Sequence, residues 1–371
     1  MVCAWHEKKP LVDPFPPRFP LVEAGSLDID GHVIGQPRAR DGILYFATRE
    51  GSLTAVVVRS RSILWRFKAG HTIPVPPEFG EGRVIIRDDA GFLNVFDARG
   101  TPVLRKQIGE NVTTAVRESQ GRAFFGTADG KIMRLDLAGP ETEPVVCRAF
   151  SSGAAVTSGP VFADDLVIFG HSDGRLMALS FSGKPVWEFA AEGAIRADPA
   201  VGHGRLYFGT EDRLYYGLNA LTGKKLWSRR LQGAALHTAI IGDGILAVPS
   251  SNSVVYLLSG KGGSILSWEA VDSRIVYRLA SAGHEFLLSS AAPGFTVLDA
   301  RAGTRVWQYV ASGSLAAGAV WSPPFVVLAV EDEGTAGQRL VFLGPTSCTS
   351  ELIIDKTPPV RYSRRDSRRS T

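Results

Sequence analysis

The sequence predicts an all-β protein: a single eight-bladed β-propeller of four-stranded antiparallel blades. Three observations carry this expectation. Glycines recur about every forty residues, the intervals between them hold short β-type runs in fours, and no stretch of twelve or more residues keeps a helical period. The recurring positions are Gly31, Gly70, Gly109, Gly153, Gly193, Gly233, Ser273 and Gly313, spaced 39, 39, 44, 40, 40, 40 and 40 residues apart. The one long interval holds the extra residues around Pro140, Glu141, Thr142 and Glu143. A ring suits eight such units better than an open solenoid, because closure leaves no long sheet edge between units.

Each element repeats in order. The clearest unit, from Gly193, reads AIRADPAVGHG, RLYFGTED, RLYYGLNALTG, KKLWSRRLQG. Second strands recur as LYFATREG, VIIRDDAG, AFFGTADG and VIFGHSDG, and the Asp129-Gly130 and Asp173-Gly174 pairs mark tight hairpins, since those turns need positive φ. Third strands recur as FLNVFDARG, KIMRLDLAG and RLMALSFSG; fourth strands recur as SILWRFKAG, KPVWEFAAEG, KKLWSRRLQG and TRVWQYVASG. The last unit shows only three strands, SLAAGAVW, FVVLAVE and RLVFLG. Its fourth is expected from residues 19–30, with 351–355 (ELIID) as the competing candidate. The predicted organisation is an extended Pro-rich segment (1–18), one propeller (19–355) and a basic disordered tail (356–371).

Composition excludes several classes. Gly and Pro supply 40 and 22 of 371 residues, against an average near 12% for the two together, which favours turns over helical bundles. Hydrophobic residues at 44% argue against global disorder. Cys3, Cys147 and Cys348 are too few and too scattered for a disulfide scaffold or a zinc knuckle. The uncharged run 313–330 is broken by Pro323-Pro324 and so does not read as a membrane helix. The net charge of +4 belongs to the tail: 356–371 carries +5, leaving −1 for the rest. A basic groove for nucleic acid is therefore not indicated, and Tyr362 is the only aromatic residue beside the tail arginines.

Trp65, Trp187, Trp227 and Trp307 occupy one equivalent place in the fourth strand, where a ring can dock on the next blade. Leu104 and Cys147 hold that place in blades two and three, and Trp268 falls within a residue of it. The run from Gly217 to Trp227 (GLNALTGKKLW) and that from Val297 to Trp307 (VLDARAGTRVW) resemble the tryptophan-docking motif of quinoprotein-type propellers, the PQQ-repeat family. The chain is similar in size, period and blade count to the non-enzymatic, BamB-like branch of that family. The resemblance implies a protein-interaction platform without catalysis or cofactor, monomeric, in the cell envelope, with envelope assembly proteins as partners. Loops on one rim would add peptide strands or bind extended segments. The alternative is a degenerate quinoprotein dehydrogenase or a ligand-sensing propeller. The chain has no Cys-Cys pair and no evident oxygen-rich calcium set of the kind such dehydrogenases carry.

Candidate binding residues come from the first strand of each unit, which lines the channel of a propeller. Gln36, Thr114, Ser158, Arg196, Asp198, His237 and Arg278 fall there. Arg196 and Asp198 alternate with Ala197 and could share one face, giving either a channel-mouth pocket for a small anion or peptide carboxylate, or an internal salt bridge. The seven histidines form no HxH or HxxxH pair; His32 and His71 each follow a recurring Gly and read as a positional repeat. Residues 260–264 (GKGGS) lack phosphate-loop spacing and read as a turn. Asn111 heads a glycosylation sequon that needs a secretory eukaryotic context. The tail is a solvated end or a contact for acidic lipid, RNA or an acidic partner, with a basophilic kinase pattern at Arg364, Arg365 and Ser367.

The first twenty residues contain no apolar signal-peptide core. Two readings follow: a cytoplasmic protein, or a start that does not correspond to the native one, with Cys3 the acylated residue of a lipoprotein and the prolines after it a semi-rigid tether.

Overall fold

The computed structural model describes residues 19–345, apart from 110, 138–142, 150–152, 236, 272 and 333–336. It forms eight four-stranded antiparallel sheets in a ring. Blades one to seven span 33–68, 78–107, 117–149, 156–190, 200–230, 240–270 and 280–309, and each runs in sequence order from the channel outward. The eighth takes its three inner strands from Ser314–Ser322, Phe325–Glu331 and Gln338–Pro345. Its outer strand is Leu21–Ile29, paired antiparallel with Gln338–Pro345 from Leu21↔Pro345 to Ile29↔Gln338. The N-terminal candidate closes the ring; 351–355 lies outside the described residues. No described helix is long and apolar enough to cross a membrane.

Each sheet buries both faces, so each strand splits its side chains between two neighbours. In blade five Leu206 and Phe208 pack toward blade four, while Tyr207 between them packs toward blade six. The same alternation holds around the ring. The eight hydrophobic clusters of the described residues fall one at each interface between adjacent blades. The cluster joining blades eight and one is the largest, and it includes Ile29 from the closing strand.

The tryptophans fasten successive blades. Trp65, Trp187 and Trp227 donate Nε1–H to the carbonyls of Ala98, Ala220 and Gly260 in the outer hairpin of the following blade, at 3.2, 3.1 and 3.1 Å. Their rings lie over a glycine of that hairpin. A Cβ on Gly100, Gly223 or Gly263 would stand 2.4–2.6 Å from the indole. Cys147 takes the same place against Gly183. In blade six the place belongs to Ser267, which donates Oγ–H to Gly303 O at 3.0 Å. Trp268 turns the other way and is 60% exposed, so it is not a docking residue. Trp307 meets no hairpin, because the two outer strands of blade eight come from distant parts of the chain. Phe19 fills the gap, stacked on Trp307 at 5.0 Å.

Gly223 combines φ +68° with the close indole of Trp187, whereas Gly244 has φ +76° and open space around it. Gly223→Ala is expected to cost about 2–3 kcal/mol and Gly244→Ala about 1 kcal/mol. Urea denaturation of the two variants checks the difference, and equal losses would contradict tryptophan docking as a packing constraint.

Candidate functional site

The inner strands place charged groups on two levels of the channel wall. Arg38, Glu78 and Arg117 stand opposite Tyr45, Ile85 and Phe124, the third residue of the second strand in blades one, two and three. The same register position is Val161, Ala200, Ile240, Ala280 and Val320 in the other five blades. Asp198 and Arg278 lie two residues earlier in blades five and seven. Both fall just before the paired inner strands Ala200–Gly202 and Ala280–Ala282.

These five side chains form one alternating chain of charge. Arg38 Nη2 lies 2.8 Å from Glu78 Oε1, and Arg117 Nε lies 3.3 Å from Glu78 Oε2. Arg117 Nη2 lies 2.8 Å from Asp198 Oδ2, which also takes Arg278 Nη2 at 3.1 Å. Blade four contributes backbone: Arg117 Nη1–H donates to Pro160 O at 2.8 Å, and Gly159 N–H donates to Asp198 Oδ1 at 2.9 Å. Gly159 has φ +91°, and a Cβ there would strike Ile168 O at 2.6 Å.

Burial opposes charge on Arg117, but Glu78 and Asp198 outweigh it and hold the guanidinium above its ordinary range. Burial would likewise raise Asp198; Arg117, Arg278 and the Gly159 N–H instead hold it below the usual carboxylate value. Arg38 is lowered by burial and by the neighbouring Arg278 and Arg117, against the pull of Glu78. The arrangement ties blades one, two, three, four, five and seven together around the channel.

The seven channel residues named from sequence therefore separate. Asp198 and Arg278 belong to the network. His237 lies beside Arg278, half-buried, with its pKa lowered by burial and by that cation. Gln36 donates Nε2–H to Ala319 O at 2.8 Å and sits at the seam between blades one and eight. Arg196 does not share the face of Asp198; it pairs with exposed Glu211 at 2.7 Å. Arg38, Glu78 and Arg117 were missed. Aligning blades on the start of the second strand, rather than on the recurring glycine, brings all three into one column. Thr114 accepts from Gly126 N–H at 2.8 Å, and Ser158 is buried. Cys3 lies outside the described residues.

The His32 and His71 repeat is real in space. His32 Nδ1 lies 2.8 Å from Glu50 Oε1, and His71 Nδ1 lies 3.9 Å from Asp89 Oδ1. Burial acts to raise Glu50, but hydrogen bonds from His32 overcome it and bring the carboxyl down to about 2. A rim cavity of about 340 Å³ is lined by Arg49, Glu50, His71 and Asp89. No group of three or more metal-ligating side chains gathers among the described residues.

The chain belongs to the family described as outer membrane protein assembly factor BamB, whose model matches residues 49–142, 138–240 and 230–346. Two curated relatives carry that name. The protein of Nitrosomonas eutropha is 27% identical over 109 residues, 29% of this chain and 25% of the relative. That of Legionella pneumophila is 25% identical over 155 residues, 38% of this chain and 39% of the relative. The matched segments thus span less than half of either relative. Among solved structures, BamB from Moraxella catarrhalis superposes with TM-score 0.71 at 18% identity, covering 88% of this chain and all of that one. Quinohemoprotein alcohol dehydrogenase from Comamonas testosteroni superposes with TM-score 0.70 at 11% identity, covering 92% of this chain and 78% of that one. At these identities the structural matches establish fold.

Two pH-dependent outcomes follow from the titrating groups. Asp198→Asn is expected to cost about 3 kcal/mol at pH 7, by leaving Arg117 and Arg278 under-neutralised. The Asp198 contribution is full above its unfolded pKa near 3.9 and is lost as pH falls through the lower folded value, so the gap to wild type should narrow below about pH 4. Denaturation at pH 7 and pH 3 measures it. Glu285, opposite Asp299 in blade seven, is raised by burial and by that carboxylate to about 7. The unfolded chain ionises first, so stability falls between about pH 4.5 and 7 as pH rises. Glu285→Gln should gain roughly 1–3 kcal/mol at pH 8 and nothing at pH 4. A gain of equal size at both values would remove this assignment.

Proposed function

We propose that the protein is a non-catalytic docking platform of the cell envelope, serving assembly of outer-membrane β-barrel proteins through protein partners. Membership in the BamB family supports the biological setting. The observation that carries the platform reading is where reactive and sticky groups lie. The charged channel residues are engaged with one another, whereas exposed large apolar side chains stand on the outer strands, including Leu64, Val103, Val186, Leu266, Trp268 and Val306. Such surfaces recruit other chains.

The test is affinity capture from the native organism in mild detergent, starting from the native gene start, with mass spectrometry of partner and bait. A β-barrel assembly subunit recovered in stable ratio is the expected result. A bait recovered alone overturns the reading. The dehydrogenase alternative is checked on the same protein by adding pyrroloquinoline quinone with calcium. No saturable rise in Tm is expected; a saturable rise, with dye reduction on addition of an alcohol, would replace the platform with an enzyme.

A further inference from the structure

The outer strand of a blade is the free edge of its sheet, and natural edges are protected by charge. The exposed face of these strands looks back toward the preceding blade: Arg66 of blade one reaches Asp30 at blade eight, and Arg305 of blade seven reaches Glu269 of blade six. Arg66, Arg105, Glu188, Ser228 and Gln308 put polar groups on that face in blades one, two, four, five and seven. Blade six is different. Its strand Ile265–Ala270 presents Leu266, Trp268 and Ala270 at successive alternate positions, all exposed, with Leu266 at 53% and Trp268 at 60%.

The opposite wall of this cleft is the outer strand of blade five, Lys225–Arg230. Trp227 and Arg229 of that strand reach the blade-six hairpin, where Arg229 donates Nε–H to Gly263 O at 3.0 Å and Trp227 donates to Gly260 O. Lys261 sits exposed on the hairpin. Lys225 stands on the other face, because the bulge at Leu226 pairs it with Leu218, which packs toward blade four. Arg229 and Lys261 have no carboxylate within ion-pair distance among the described residues. Elsewhere on the outer strands Arg66, Lys106 and Arg305 do have one.

We propose that the cleft between the outer strands of blades five and six is a strand-addition site for an acidic, extended segment of a partner protein. The guest strand pairs with the free edge of Ile265–Ala270, sets alternate apolar side chains on Leu266 and Trp268, and directs carboxylates toward Arg229 and Lys261. Backbone pairing supplies affinity and the alternation supplies register. The idea rests on the platform reading and specifies where one partner binds.

The test is fluorescence anisotropy of a labelled peptide of alternating valine and glutamate, eight residues or so in length, titrated with the full chain. Saturable binding that weakens at least tenfold in Leu266→Ser/Trp268→Ser, and that weakens and loses salt dependence in Lys261→Glu, is the expected result. These positions are exposed, and far-UV circular dichroism verifies that each variant keeps its fold. Absence of binding, or binding unchanged in both variants, overturns the proposal. So does association with phosphatidylglycerol vesicles that depends on Trp268 while the peptide fails to bind, since the cleft then faces lipid. The affinity capture described above separates the two levels. If the double variant still recovers the assembly subunit and the peptide result is negative, the platform stands and this cleft is not its binding surface.

Discussion

The pairing of Leu21–Ile29 with Gln338–Pro345 is the constraint on which the rest depends. A four-stranded blade cannot bury both of its faces alone; it needs a neighbour on each side. Seven interfaces form between consecutive segments, and only the eighth demands that distant parts of the chain meet. The closing strand supplies backbone pairing there, Ile29 joins the largest hydrophobic cluster, and Gln36 reaches across to Ala319. Non-local contacts of this separation incur their loop-closure cost before they return any stability. Local hairpins and blade-to-blade docking therefore have to hold the segments in order first.

Docking and the channel network perform that ordering at opposite radii. At the periphery the indoles of Trp65, Trp187 and Trp227 each meet a glycine hairpin one blade on, so the position of one blade sets the next. Near the axis Arg117 connects blades two, four and five to its own, and Asp198 extends the link to blade seven. Periphery and axis thus restrain tilt at two ends of the same sheets. The interior charges contribute little net stability as a group, because their desolvation offsets their attraction. Their value is in arrangement: an under-neutralised arginine inside the channel penalises any other packing of the blades.

The period, the number of blades and the strand order were legible in the sequence, since each depends on side-chain type at fixed spacing. Trp268 shows where that fails. A fourth strand carries a bulge, and one residue of register decides whether a ring docks or faces water; the register gives the place to Ser267. The channel shows a second limit. Asp198 and Arg278 could be picked out strand by strand, but their connection through Arg117 runs between blades, and no interval along the chain encodes it. Arg196 was grouped with Asp198 on alternation alone. The segment before Ala200 is not paired as a strand, so alternation did not hold there.

Ring closure also decides where this molecule can meet others. Each sheet keeps two edges, one lining the channel and one facing outward, so the unpaired backbone that a large partner can reach lies at the periphery. A free edge carrying apolar side chains is an aggregation hazard, and charge on that edge is the usual protection. Blades one, two, four, five and seven keep polar groups on the exposed face, while Leu266, Trp268 and Ala270 leave blade six without them. Arg229 and Lys261 beside it, which have no carboxylate partner, repel a second copy presenting the same surface and attract acidic chains. Like-charge repulsion at close range is thus a guard against self-association that leaves the edge open to a partner of opposite charge. An unprotected edge beside an unbalanced basic wall is a selective surface, and the closed ring behind it keeps that surface fixed.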